Sequence, residues 1–127
     1  MNWISFAGIG IGAALGAWAR WLLGLALNPI FVSIPLGTLA ANLIGGYLIG
    51  VCVMVFHVNT DLPPELRLFL VTGFLGGLTT FSTFSAEVVA LIRADAWMMA
   101  LMAAGVHVIG SLLMTGLGIY TVQRLTQ

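Results

Sequence analysis

GGLTTFSTFS, residues 76–85, lies inside an apolar run long enough to cross a membrane, yet it holds two glycines, five hydroxyl side chains and two phenylalanines. A segment that only had to traverse lipid would be Leu, Ile and Val throughout. Polar groups at that depth are costly unless something other than water bonds them. The decad therefore separates two possibilities: a plain apolar bundle, or one with a polar path through it.

The surrounding chain supplies the solvent. Of its 127 residues, 61% are hydrophobic and 6% are charged, and its mean hydropathy is +1.12. Soluble domains carry about a quarter charged residues, so the composition predicts an integral membrane protein in the lipid bilayer. The length allows one small domain, residues 1–127, and no soluble module. Net charge is zero, with four Arg and no Lys, which leaves no electrostatic footprint for nucleic acid. Cys52 sits in an apolar run and reads as a small hydrophobe. Met1 leads straight into apolar sequence without a basic stretch, so the first hydrophobic segment is expected to be a retained span and not a cleaved signal peptide.

A helix needs roughly 20 apolar residues to cross a bilayer, and four stretches qualify: 3–27, 36–56, 68–92 and 96–122. Asn28-Pro29 closes the first, since Pro lacks the backbone donor and restricts the residue before it. HVNTDLPPELR (57–67) closes the second, and Arg93 and Gln123-Arg124 close the others. The expected fold is all-α, with four transmembrane helices and the third broken in mid-membrane.

Small residues recur at helical spacing. Gly8, Gly12, Gly16, Arg20 and Gly24 share one stripe of the first helix, and Gly46 and Gly50 form a second pair. Such stripes let helices approach closely in lipid, where packing replaces the hydrophobic effect as the driving force. Arg20 stands out within its stripe. It either snorkels to the interface or faces an aqueous vestibule and draws anions in. The arginines also bear on topology. With the N-terminus inside, Arg67 and Arg124 lie on the inner side and Arg20 and Arg93 on the outer. The positive-inside rule then expresses no preference, which predicts insertion both ways. Two oppositely inserted copies would pair as an antiparallel homodimer, supplying between subunits the inverted repeat that larger transporters carry in one chain.

Three spans carry polar groups at depth: Thr38 and Asn42 on the second; Thr79, Thr80, Ser82, Thr83, Ser85 and Glu87 on the third; His107, Ser111 and Thr115 on the fourth. A hydroxyl can bond its own helix's carbonyl, but the Asn42 amide has no good partner within its helix and must reach a neighbour or a ligand. His107 alone reads as an interhelical hydrogen bond, and Glu87 as a solvated group near a membrane end. Hydroxyls and amide NH₂ groups donate hydrogen bonds, which is what a dehydrated anion needs. An aromatic ring has a positive edge, so Phe81 and Phe84 add to the same scheme. Gly76-Gly77 before Thr79-Thr80 marks the place for a helix break, and carbonyls freed there suit a hard cation such as Na⁺.

PLGTLAANLIGG (35–46) and GFLGGLTTFSTFSAEV (73–88) resemble signature segments of the Fluc, or CrcB-type, fluoride channels of bacteria. GAWARWLLG (16–24) and HVIGSLLMTGLG (107–118) are similar to that family's flanking first and fourth helices, so the resemblance covers essentially the whole chain. The fourth-helix stripe differs, with Ala103 and His107 where other members can have a Tyr or Ser. The resemblance implies an antiparallel homodimer in the bacterial inner membrane, with two pores along the subunit interface. Phe81 and Phe84 would line the pore and Asn42 would be an amide donor. Ser111 and Thr115 would belong to a polar track, with Thr38, Ser82 and Thr83 on the same fluoride path. Gly76 and Thr79 would give main-chain carbonyls to a central Na⁺ that is not transported, and Arg20 would be the vestibule cation. Fluoride would leave passively, protecting a cytoplasm in which entering HF dissociates.

A proton-coupled small multidrug exporter is the alternative, since it too has four short spans and inserts both ways. That mechanism needs a buried carboxylate, and Glu87 is the sole acid near a span. A structural membrane subunit without transport activity would tolerate replacement of Asn42, Phe81 or Phe84. An enzyme is disfavoured because no nucleophile–base pair or metal-ligand cluster stands out.

Overall fold

The computed structural model of the protein describes residues 2–127. Those residues are helical or irregular, with no strand among them. Helix α1 (Trp3–Leu27) starts at Asn2, whose side-chain oxygen accepts from the Ile4 N–H at 3.0 Å, satisfying one of the donors that a helix start leaves open. A single 3₁₀ turn, Asn28–Ile30, follows it at Pro29.

Helix α2 (Leu36–Val58) begins at Pro35, which offers no side-chain cap. The missing cap comes from across the turn: Asn28 Oδ1 accepts from the Gly37 N–H at 2.7 Å. Gly37 must be glycine for this contact, because a Cβ there would lie 2.6 Å from Asn28 Oδ1, Gly24 Cα and Leu23 O.

The third membrane-length stretch is the irregular one. It comprises α3 (Pro64–Arg67), a π-helical segment Leu68–Leu75, α4 (Gly76–Leu78) and α5 (Phe81–Arg93). Between α4 and α5, Thr79 (φ −85°, ψ 154°) and Thr80 (φ −152°, ψ 119°) are extended. A turn through Asp95, at φ 57°, a conformation that Asp tolerates better than most residues, leads into α6 (Trp97–Leu125).

The stretches Trp3–Ile30, Leu36–Val58, Pro64–Arg93 and Trp97–Leu125 are long and apolar enough to cross a membrane. The helices overrun the apolar sequence, α2 past Phe56 to Val58 and α6 past Val122 to Leu125. Backbone bonding continues after hydrophobicity stops.

Helix α2 packs chiefly on α6, and α1 on the π-helical segment and α4. No large side chain is fully buried; glycine is the commonest residue at the buried positions, with Ala41, Ala100, Ala103 and larger residues such as Leu75, Leu78 and Phe84. A Cβ on Gly16 would fall on the Phe74 carbonyl oxygen and 2.7 Å from the Leu78 nitrogen, and one on Gly12 would lie 2.9 Å from the Phe74 nitrogen. On the other side of the bundle, Gly50 abuts the Thr115 carbonyl and Gly118 the Tyr47 carbonyl. Backbone meets backbone at these crossings, as expected where lipid replaces water. The bulky side chains, among them Trp3, Trp18, Trp21, Leu112 and Leu113, point outward.

The glycines of the decad do other work than expected. Gly76 and Gly77 are helical, and no described glycine has a positive φ. A Cβ on Gly77 would fall on the Ala13 carbonyl oxygen and 3.0 Å from the Ala17 nitrogen. Gly77 thus admits α1, and the departure from helical geometry comes at Thr79 and Thr80.

Candidate functional site

An extended residue between two helices leaves its own N–H and C=O without helical partners, and Thr80 is buried. Asn42, one helix away on α2, supplies both. Its Oδ1 accepts from the Thr80 N–H at 2.8 Å, and its Nδ2 donates to the Thr80 carbonyl at 3.1 Å. The side-chain amide acts as a single rung of a strand ladder laid against the interruption. Asn42 Nδ2 is also 3.1 Å from His107 Nδ1 on α6, so three helices meet at one amide. The partner that the sequence demanded for Asn42 is therefore protein backbone and imidazole, and both amide hydrogens are engaged.

The redirected Thr80 N–H is the donor that an unbroken helix would have given to the Gly76 carbonyl, and Gly76 is exposed. The Gly77 carbonyl accepts from Arg20 Nε at 3.1 Å. The guanidinium is thus anchored to the turn of helix before the interruption. Thr79 Oγ1 back-bonds the Leu75 carbonyl at 2.8 Å. Thr80 Oγ1 restarts the helix, accepting from the Thr83 N–H at 3.1 Å, and lies 3.3 Å from Ser82 Oγ.

A cavity of about 500 Å³ adjoins the interruption. Asn42, Gly76, Thr79, Phe81, Phe84, Ser111 and Thr115 all line it, as do Thr80 and His107. The rings of Phe81 and Phe84 meet edge to face, with centroids 5.5 Å apart and planes at 74°, the arrangement favoured by their quadrupoles. Phe84 is buried and stacks on the His107 ring at 4.5 Å. Phe81 is 76% exposed. Thr115 Oγ1 lies 2.9 Å from both the Gly46 and Ser111 carbonyls and shares its one hydrogen between them. Ser111 Oγ makes no hydrogen bond to another described residue.

Arg20, Thr38 and Thr83 line a second cavity of about 480 Å³, together with Trp21 and Asn28. Thr38 Oγ1 donates to Glu87 Oε1 at 2.6 Å. Glu87, expected to be solvated on its own, is half-buried and paired. Ser82 is exposed and lines neither cavity. Thus the residues singled out from sequence divide between two cavities, with Ser82 apart. Sequence reading left His107 outside the set; the only signal for it was its i, i+4 spacing with Ser111.

Residues 7–119 match the family described as CrcB-like protein, Camphor Resistance (CrcB). A relative from Dechloromonas aromatica, named fluoride-specific ion channel FluC, is 62% identical over 94% of this chain and 88% of its own length. One of the same name from Nitrosospira multiformis is 58% identical over 100% of this chain and 99% of its own. A third, from Thiobacillus denitrificans, is 54% identical over 95% and 98%. With a match over nearly its whole length, four membrane-length helices and relatives this similar, the chain belongs to the CrcB-like protein family.

Proposed function

We propose that this protein is a fluoride-selective ion channel, a multi-pass membrane protein and not an enzyme, which lets cytoplasmic fluoride leave passively across the bacterial inner membrane. Its near-full-length relatives carry that name. The observation that carries the reading here is the pairing of the Phe81 and Phe84 rings at the wall of a cavity that Ser111 and Thr115 also line. Ring edges and hydroxyls can replace the hydration shell of a small anion. Arg20 raises the local anion concentration at the second cavity, and Thr38 and Thr83 extend the polar surface there. Ser82 adds a hydroxyl at the exposed start of α5. Asn42 serves the path by holding the Thr80 backbone in place. A membrane potential contributes roughly 2.3 kcal/mol per charge per 100 mV, which drives export without ATP.

The working unit in this reading is an antiparallel homodimer. Phe81, at 76% exposure, cannot wall a pore by itself; a second copy inserted the other way would close it. Such a dimer would bring together the interrupted third spans of both copies in mid-membrane. The Gly76 carbonyl, deprived of the Thr80 N–H, and the Thr79 carbonyl beside it suit a hard cation. One chain offers few such oxygens and two offer a set, so these residues fit a structural Na⁺ at the dimer interface. The ion would hold the two interruptions together and lower the electrostatic cost of anions nearby.

The test is efflux from liposomes containing the purified protein, loaded with potassium fluoride or potassium chloride and released by valinomycin. Fluoride should empty rapidly and chloride should stay. Vesicles that hold fluoride as well as protein-free ones would refute the channel reading.

A further inference from the structure

Between Arg20 and Asp61 the chain carries no Asp, Glu, Lys or Arg, and the connector from α1 to α2, NPIFVSIP (28–35), lies inside that stretch. The loop at the other end of α2, HVNTDLPPELR (57–67), holds Asp61, Glu65 and Arg67, as suits a segment running through water. The connector presents the opposite surface. Ile30, Phe31 and Val32 are 67%, 45% and 90% exposed. Three successive apolar side chains turned away from the protein call for an apolar surrounding.

The tip is held outward by its ends. Ile34 is buried, and the bond from the Gly37 N–H to Asn28 Oδ1 ties one end of the connector to the other. The Asn28 N–H bonds the Gly24 carbonyl, and Pro29 and Pro35 have no N–H to satisfy. The backbone at both ends therefore asks little of water.

Helix length sets the depth. With 25 residues in α1 and 23 in α2, a rise of about 1.5 Å per residue makes them about 37 and 34 Å long. Both outrun a hydrocarbon core of about 30 Å and fall short of the roughly 40–45 Å that includes the headgroups. The connector thus sits in the headgroup layer. Water and headgroups there serve the backbone of residues 30–34, and acyl chains lie within reach of the side chains. Ile30, Phe31 and Val32 line neither cavity, including the one at Phe81 where a second copy would close the wall. That leaves lipid as their occupant. Asn28, at the start of the connector, lines the second cavity beside Arg20.

We propose that the α1–α2 connector is a lipid-inserted loop. Ile30, Phe31 and Val32 are buried among phospholipid acyl chains just below the headgroups, and the loop anchors the Asn28 end of the second cavity at that depth. The proposal goes beyond the fluoride reading and holds whatever ion the cavities pass.

The experiment is nitroxide accessibility in the full chain, in liposomes of phosphatidylethanolamine and phosphatidylglycerol. Cys52, the one cysteine, is replaced by Ala, and the label is attached at Val32→Cys or, as the aqueous control, at Thr60→Cys in the 57–67 loop. Oxygen concentrates in lipid, and nickel ethylenediaminediacetate stays in water. The ratio of oxygen to nickel collision rates should be several-fold higher at Val32 than at Thr60. Equal ratios at the two sites, with nickel reaching both, would put the connector in water and overturn the proposal. A Val32 label shielded from both reagents would mean that protein covers the tip, a second copy being the candidate, and would overturn it equally. If Val32→Cys does not elute as a folded species on gel filtration, Ile30→Cys decides by the same criterion. None of these outcomes depends on whether fluoride is passed.

Discussion

Asn42 shows how much one side chain settles. Its amide satisfies the Thr80 N–H, the Thr80 carbonyl and His107 Nδ1. Replacement by Leu strands those groups, and each unsatisfied buried polar group costs about 1–3 kcal/mol. Asn42→Leu should therefore melt well below wild type in detergent, and Asn42→Asp, which keeps the acceptor for the Thr80 N–H, should lie between. Equal melting of all three would show that the Thr80 backbone does not depend on this amide. The phenylalanines answer to a different measurement. Phe81→Ile and Phe84→Ile keep apolar bulk but remove the ring edge. Fluoride efflux should fall by about tenfold or more, since each ~1.4 kcal/mol of barrier is a factor of ten. Retained flux with intact assembly would remove the rings from the path.

At the level of helices, the deciding fact is that backbones touch. Gly50 of α2 lies against the Thr115 carbonyl of α6, and Gly77 of α4 against the Ala13 carbonyl of α1. A carbonyl cannot swing aside as a flexible side chain does, so Gly50→Ala should separate α2 from α6 and lower the melting temperature. Gly10 is the control. A Cβ there meets nothing within 4 Å, and Gly10→Ala should be neutral or stabilising by about 0.5–1 kcal/mol, the usual gain for alanine within a helix. Thermal retention on gel filtration would rank the two variants, and equal ranking would count against backbone contact as the organising force. Gly76 and Gly77, which read in sequence as helix breakers, are helical, Gly77 is a spacer against α1, and the extended residues are threonines.

For the molecule as a whole, the even split of Arg67 and Arg124 against Arg20 and Arg93 predicts that both orientations insert. A C-terminal tag should be accessible from either side of the membrane in comparable amounts, and a tag found on one side only would exclude an antiparallel pair. The proposed interfacial Na⁺ has its own readout. A ligand that binds only the folded state stabilises it by RT ln(1 + [L]/Kd), so melting temperature should rise with sodium chloride and not with choline chloride of equal ionic strength. A flat response would remove the ion from the account.

Composition, hydrophobic run length and the arrangement of small residues were legible from the chain alone, because they depend only on what lipid tolerates and on the period of a helix. The oddity of residues 76–85 was legible for the same reason. Periodicity assigns a residue to a face, but it does not say which neighbour that face meets. The folded chain decided that Asn42 clamps Thr80, that Arg20 holds the Gly77 carbonyl and that Thr38 pairs with Glu87. It decided the π-helical turn at Leu68–Leu75 as well, for which these residue types carry no local mark. Hydrogen bonds across 38 to 65 positions of sequence are made by helices crossing in space, and that crossing is set by where glycine lets two backbones close.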